Sequence, residues 1–158
     1  MEEQAARHLI EAALDIFFAR DADLPASIGE RCIAHRIAMY MEELLRAEGH
    51  TWSVDCEYNR MGEDPKRLAE LVGRRNRAGG MRRGDAIPDL AVHRRGLAGP
   101  NLIAIEIKRV GEDLGDDEEK VRLYRDALHY QHAFLLRIAP TRRESRIDPP
   151  SDVDEDSR

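Results

Sequence analysis

The first half of the chain has two segments in which apolar residues recur at helical spacing. In the range 3–20 they recur every three or four positions, which is typical of the buried face of an amphipathic helix. The range 27–48 has the same spacing, begins with a capping box at Ser27 and Glu30, and is followed by a helix-ending glycine, Gly49. The stripe predicted to be buried in this second helix is Ile33, Ile37, Met41 and Leu44.

Strand patterns follow the second helix. Apolar and polar residues alternate over 51–60, which indicates a half-buried strand. Two apolar runs, 87–92 and 102–107, flank a turn that contains Gly, Pro and Asn, and therefore predict a hairpin. The remaining predicted elements are a short helix (64–72), a third long helix (116–130) and a last strand (132–139).

The predicted hairpin carries charged residues where strands are usually most apolar. Asp89 lies in the first run, and Glu106 and Lys108 lie at the end of the second. Because side chains alternate between faces, Glu106 and Lys108 share a face. A register that puts Asp89 opposite residue 106 or 108 adds its carboxylate to the same patch, whereas the other parity separates them, and the sequence leaves both open. Two adjacent carboxylates favour a bound divalent cation.

The composition indicates a single domain. The chain has 158 residues, of which 42% are hydrophobic and 35% charged, enough for one core. We expect that domain over 1–139, with 1–26 as an N-terminal extension and 27–139 as the core, and a disordered tail over 140–158. No apolar run approaches the ~20 residues of a membrane span, and the two cysteines do not indicate a disulfide framework, so we expect a cytoplasmic protein.

The charges are segregated along the chain. The net charge of −6 neither supports nor excludes a nucleic-acid partner, since acid is concentrated at 112–119 and base at 74–83. The glycine-rich basic segment has two interpretations, a phosphate-contacting loop or a solvated loop. The same alternatives apply to the arginines of the hairpin turn. The candidate phosphate-contacting residues are Arg74, Arg75, Arg77, Arg82, Arg83, Arg94 and Arg95.

Lysine is scarce in this chain. Among 25 Lys and Arg residues, the lysines are Lys66, Lys108 and Lys120. An ammonium at position 108, directly before an arginine, indicates a chemical requirement, because lysine is a compact charge whose pKa moves readily on burial. Lys120, one helical turn before Tyr124, either reaches the same end of the sheet, where it is a further candidate for contacting nucleic acid, or forms a pair within its own helix.

Pro88-Asp89, followed after a strand-length gap by Glu106-Ile107-Lys108, resembles the signature of the PD-(D/E)XK nuclease superfamily, in particular its small prokaryotic members. The resemblance extends from about residue 27 to about residue 138. It implies an α/β fold with a restriction-endonuclease-like αβββαβ core, in which a mixed four-stranded sheet is flanked by helices. The helix over 3–20 is then an addition at the N-terminus.

The resemblance also implies a metal-dependent deoxyribonuclease that leaves 5′-phosphate and 3′-hydroxyl ends. Asp89 and Glu106, with the backbone carbonyl of Ile107, would hold Mg²⁺ or Mn²⁺. Glu30 would act on the metal directly or through a water, although its capping-box interpretation remains open. Lys108 would position or deprotonate the attacking water. The implied catalytic set is Glu30, Asp89, Glu106 and Lys108.

The same fold also accommodates a protein without catalytic activity. The alternative is a silent nucleic-acid-binding or scaffold subunit within a repair, defence or mobile-element complex. The presence of all the motif residues favours the enzyme. We expect DNA as the partner, with a homodimer or a larger nucleoprotein complex as the assembly and no membrane contact.

Overall fold

The structure is a computed structural model that describes residues 1–21, 23–24, 28–57, 87–96, 100–114 and 117–149. Within these ranges the helices are α1 (Glu3–Arg20), α2 (Glu30–Ala47) and α3 (Asp117–Asp126), with a short 3-10 helix at Arg142–Glu144. The strands are β1 (Ser53–Cys56), β2 (Leu90–His93), β3 (Asn101–Arg109), β4 (Tyr130–Ile138) and β5 (Arg146–Asp148).

The strands form one mixed sheet in the order β1-β2-β3-β4-β5. β3 and β4 are parallel and are connected through α3, whereas the other neighbouring strands are antiparallel. In the hairpin, Leu90 pairs with Ile105 and Ala91 with Ala104. This register places Asp89, just before β2, opposite Glu106. Of the two registers that the sequence allowed, the structure therefore has the one in which the two carboxylates lie on the same face.

The two faces of the sheet have separate cores. On one face, β3 contributes Ile103, Ile105 and Ile107 to a large cluster with the buried residues of α1 and α2. On the other, Ala104 packs in a smaller cluster with Val121 and Tyr124 of α3. Since side chains alternate along β3, Glu106 and Lys108 belong to the face that α3 covers. No helix in the described part of the chain has the length and apolarity to cross a bilayer.

The helix boundaries agree with the sequence patterns at some ends and differ at others. The predicted helix over 3–20 is confirmed as α1. α2 begins at Glu30, and Gly29 before it supplies no side-chain cap; Ser27 and the predicted helix over 64–72 lie outside the described residues. α3 ends at Asp126 because the backbone turns at His129, whose φ is +57°, and Tyr130 already begins β4.

The prediction of a four-stranded sheet is wrong by one strand. The additional strand, β5, pairs with β4 and lies in the range 140–158, where the sequence indicated a disordered tail. The segment is held by Ile147, which packs on the large core cluster, and its carbonyl accepts a hydrogen bond of 2.8 Å from the guanidinium of Arg7 in α1. A three-residue strand with one apolar anchor leaves no periodicity that a sequence pattern could detect.

Ser145 tests whether this last segment is ordered. Its side chain, 7% exposed, accepts a hydrogen bond from the Ala139 N–H at 3.0 Å and donates one to the Thr141 carbonyl at 3.0 Å. Ser145→Ala leaves the buried Ala139 N–H without its acceptor, so we expect the free energy of unfolding to fall by about 1–3 kcal/mol in urea denaturation.

Thr141→Val is the matched control for Ser145→Ala. It removes only the exposed hydrogen bond from the Thr141 hydroxyl to Glu144, so its effect should stay within about 0.5 kcal/mol. Equal stability of Ser145→Ala and the unchanged protein would contradict a packed segment after β4.

Candidate active site

The carboxylates of Asp89 and Glu106 come together at the open end of the β2–β3 hairpin. Asp89 Oδ2 accepts the backbone N–H of Ile107 at 2.7 Å, which holds the side chain against β3. Burial raises the pKa of Asp89 above its ordinary value, although the Ile107 N–H and the charge of Lys120 oppose this effect. The structure therefore brings together the two acidic residues of the sequence motif.

Glu106 is bound by two residues of α3. The residue is 6% exposed, and its carboxylate accepts a hydrogen bond from Lys120 Nζ to Oε1 at 2.7 Å and one from the Tyr124 hydroxyl to Oε2 at 2.7 Å. Burial, together with the charge of Asp89, raises the pKa of Glu106 to about 7 in spite of these two donors. The sequence allowed Lys120 either to reach the sheet or to pair only within its own helix. The hydrogen bond to Glu106 shows that Lys120 reaches the sheet.

Asp117 links the two lysines of the site. It is the first residue of α3 and only 5% exposed. Its Oδ1 lies 2.9 Å from Lys120 Nζ and its Oδ2 lies 3.4 Å from Lys108 Nζ. The sequence pattern did not single out Asp117 as a site residue. The available signal was its position three residues before Lys120, at the start of the helix that follows the motif strand.

Glu30 reaches the site from the opposite side of the sheet. Its Oε1 accepts the backbone N–H of Arg109 at 3.3 Å, at the carboxyl end of β3. Burial raises the pKa of Glu30, and the nearby ammonium of Lys108 partly offsets this. Glu30 is therefore a neighbour of Lys108, and its contact with β3 comes from the first turn of α2.

Lys108 is held in its charged form. Burial tends to lower its pKa, but the carboxylates of Asp117, Glu30 and Glu112 outweigh burial and raise the pKa above the ordinary lysine value. An ammonium with a raised pKa is a poor proton acceptor near neutral pH. The geometry therefore favours charge neutralisation and positioning by Lys108 over the deprotonation of water.

The donor set of the site fits a hard divalent cation. Asp89 and Glu106 supply two neighbouring carboxylates, and burial, with a smaller contribution from nearby carboxylates, raises the pKa of each. Within the described ranges, no three His, Cys, Asp or Glu side chains form a metal-binding group on their own. Mg²⁺ commonly takes only one or two protein carboxylates, with waters and substrate phosphates completing its shell.

The other predicted residues lie elsewhere. The guanidinium of Arg94 stacks over the Trp52 ring at 5.1 Å from its centroid, and Arg95 pairs with Asp55. Both follow β2, so they lie at the opposite end of that strand from Asp89. The basic segment with Arg74, Arg75, Arg77, Arg82 and Arg83 lies outside the described residues.

Comparisons of the chain with protein-family models, with curated proteins and with solved structures found no match.

The raised pKa of Glu106 predicts a specific pH dependence of stability. Its ordinary value is 4.5 and its value in the fold is about 7. Between these pH values the folded state binds more protons than the unfolded state, so stability is lost as the pH rises from about 4.5 through 7. The loss reaches at most about 3 kcal/mol. The groups that face Glu106 are Asp89, Lys120 and Tyr124.

Glu106→Gln removes this titration and keeps an acceptor for Tyr124. We expect the difference in unfolding free energy between pH 5 and pH 8 to shrink by about 1–3 kcal/mol in this variant, measured by urea denaturation at both pH values. Glu118→Gln, at an exposed position of α3, should keep the original difference. An unaltered pH dependence in Glu106→Gln would show that this carboxyl titrates normally.

Proposed function

We propose that this chain is a metal-dependent nuclease of the PD-(D/E)XK type that hydrolyses phosphodiester bonds in DNA. The observation that carries the proposal is the convergence of Asp89 and Glu106 from adjacent strands, with Lys108 on the same face as Glu106. The element order α2-β1-β2-β3-α3-β4 supports a restriction-endonuclease-like αβββαβ core, to which α1 and β5 are additions.

The acidic residues have distinct roles in this proposal. Asp89 and Glu106, with the backbone carbonyl of Ile107, would hold Mg²⁺ or Mn²⁺. The cation supplies Lewis-acid chemistry for phosphoryl transfer. Lys120 and Tyr124 orient the Glu106 carboxylate through their hydrogen bonds to its two oxygens. Without that orientation, the two motif carboxylates would lose their common geometry.

Lys108 and Glu30 act on the reacting groups. Lys108, kept protonated by Asp117, would neutralise charge that develops on the phosphoryl oxygens and would orient the attacking water. Glu30, whose pKa is raised by burial, is the candidate acceptor for the proton of that water, directly or through a second water. Attack at phosphorus with departure of the 3′ oxygen leaves 5′-phosphate and 3′-hydroxyl ends.

A catalytically silent nucleic-acid-binding or scaffold subunit is the second candidate function. The observation that favours it is the internal ion-pair network, since Lys120 already gives Glu106 and Asp117 a cationic partner. Such a network can fix the docking of α3 without any catalytic role. A homodimer, or a place in a repair, defence or mobile-element complex, is compatible with both candidates.

A cleavage assay separates the two candidates. With Mg²⁺ or Mn²⁺, we expect the purified chain to nick plasmid or cut oligonucleotides, leaving 5′-phosphate ends in end-labelling. Asp89→Asn and Lys108→Ala should each reduce the rate by about a hundredfold or more, as expected when one preorganised electrostatic group is lost. Asp126→Asn, an exposed change at the far end of α3, is the control. Undiminished cleavage by Asp89→Asn would exclude the proposed centre.

Metal binding has a readout that does not depend on activity. Because carboxylate ligands bind metal in their deprotonated form, Mn²⁺ should raise the melting temperature more at pH 8 than at pH 5. At a concentration of about 100 times Kd, the stabilisation amounts to about 2.7 kcal/mol. Asp89→Asn should abolish it and Asp126→Asn should not. Equal stabilisation of both variants would place the metal elsewhere.

A further inference from the structure

A cleft of about 690 Å³ opens where β4 meets the 3-10 helix and β5. It is lined by three guanidinium groups and by one carboxylate, and it has an apolar wall. The lining residues that matter for binding are Arg137, Arg143, Arg146, Glu144 and Val110. The segment 140–146, which forms much of this lining, comes from the range that the sequence indicated as a disordered tail.

The cleft adjoins the candidate active site. Arg137 pairs with Lys108 in the parallel register of β3 and β4, so the two side chains lie on the same face of the sheet, on neighbouring strands that are about 4.8 Å apart. The chain that leaves β3 stays with β4, because the Val110 N–H donates to the Ile138 carbonyl at 2.8 Å. Lys108 therefore lies beside the cleft, on the strand next to that of Arg137.

The cleft has more guanidinium groups than carboxylates. Arg137 is held by Asp148, with its Nε 2.7 Å and its Nη2 2.6 Å from Oδ2. Glu144 accepts the hydroxyl of Thr141 at 2.7 Å. Arg143 and Arg146 are exposed, and within the described part of the chain no carboxylate forms an ion pair with either of them. Two guanidinium groups are therefore available to an incoming anion.

This excess is local in an acidic protein. The net charge of the chain is −6, and the acidic turn between Lys108 and α3 has Glu112 and Asp113 exposed. A polyanion that approaches the site is repelled by that turn and attracted by the arginines of the cleft. The charge distribution thus favours contact of a polyanion with these arginines over contact with the acidic turn.

We propose that this cleft binds the phosphodiester backbone of a nucleic acid and directs it to the Lys108 end of the candidate active site. The planar guanidinium of arginine matches the geometry of a phosphate with two parallel hydrogen bonds. Val110, 51% exposed, provides an apolar surface for the sugars and bases between the phosphates. The choice of nucleic acid over another polyanion rests on the proposed nuclease function.

The test measures binding apart from cleavage. Fluorescence anisotropy with labelled single-stranded and duplex oligonucleotides is recorded in EDTA over a series of salt concentrations. In Arg143→Ala/Arg146→Ala, each lost phosphate contact should reduce the slope of log K against log salt by about 0.9 for duplex and should weaken binding roughly eightfold at 0.1 M salt. Both side chains are exposed, so circular dichroism should show an unchanged fold.

Arg125→Ala is the matched control, because it removes an exposed arginine near the end of α3 remote from Asp117. It should leave both the affinity and the salt slope unchanged. The inference is overturned if the double variant binds like the unchanged protein, if the latter binds neither oligonucleotide, or if Arg125→Ala weakens binding as much as the double variant. It is also overturned if poly-glutamate of equal charge competes as well as DNA, since the cleft would then not distinguish a nucleic acid from an acidic protein.

The two proposals fail in different ways. If the chain never cleaves DNA but loses binding in Arg143→Ala/Arg146→Ala, the nuclease function is excluded and the cleft is supported. If cleavage requires Asp89 while the double variant binds and cleaves normally, the nuclease stands and the cleft is excluded.

Discussion

The buried carboxylate of Glu106 is the constraint on which the rest of the site depends. It lies in the middle of a sheet face, beside the second carboxylate of Asp89, and it is compensated by the hydroxyl of Tyr124 and the ammonium of Lys120. A buried charge is tolerated only when partners surround it, and both donors come from α3. The same contacts that dock α3 on the sheet therefore determine the geometry of the acidic pair.

Much of the fold follows from periodicity. α1 and α2 bury one stripe each, and the predicted hairpin appears as β2 and β3 with its charged residues at the expected end. β5 was missed because its position depends on tertiary contacts: the apolar packing of Ile147, the Arg137–Asp148 ion pair and the hydrogen bond from Arg7. Interactions between residues far apart in the chain leave no local pattern.

The candidate site was predictable to the extent that it lies within one hairpin. Asp89, Glu106 and Lys108 are related by strand alternation, and only the register remained open. Asp117 was not predictable in the same way, since its carboxylate reaches the site only because α3 packs over β3. Its presence also alters the chemistry of Lys108, because a carboxylate beside an ammonium favours the protonated form.

The bond between Arg7 and the carbonyl of Ile147 joins residues 140 positions apart. During synthesis, β4 emerges before the strand that pairs with its outer edge, and Arg7 lacks the Ile147 carbonyl as an acceptor until β5 has been made. An uncovered strand edge is a template for pairing with other chains. Nascent or truncated forms that lack residues 146–148 would therefore leave the edge of β4 at Leu135–Arg137 open to pairing with another chain.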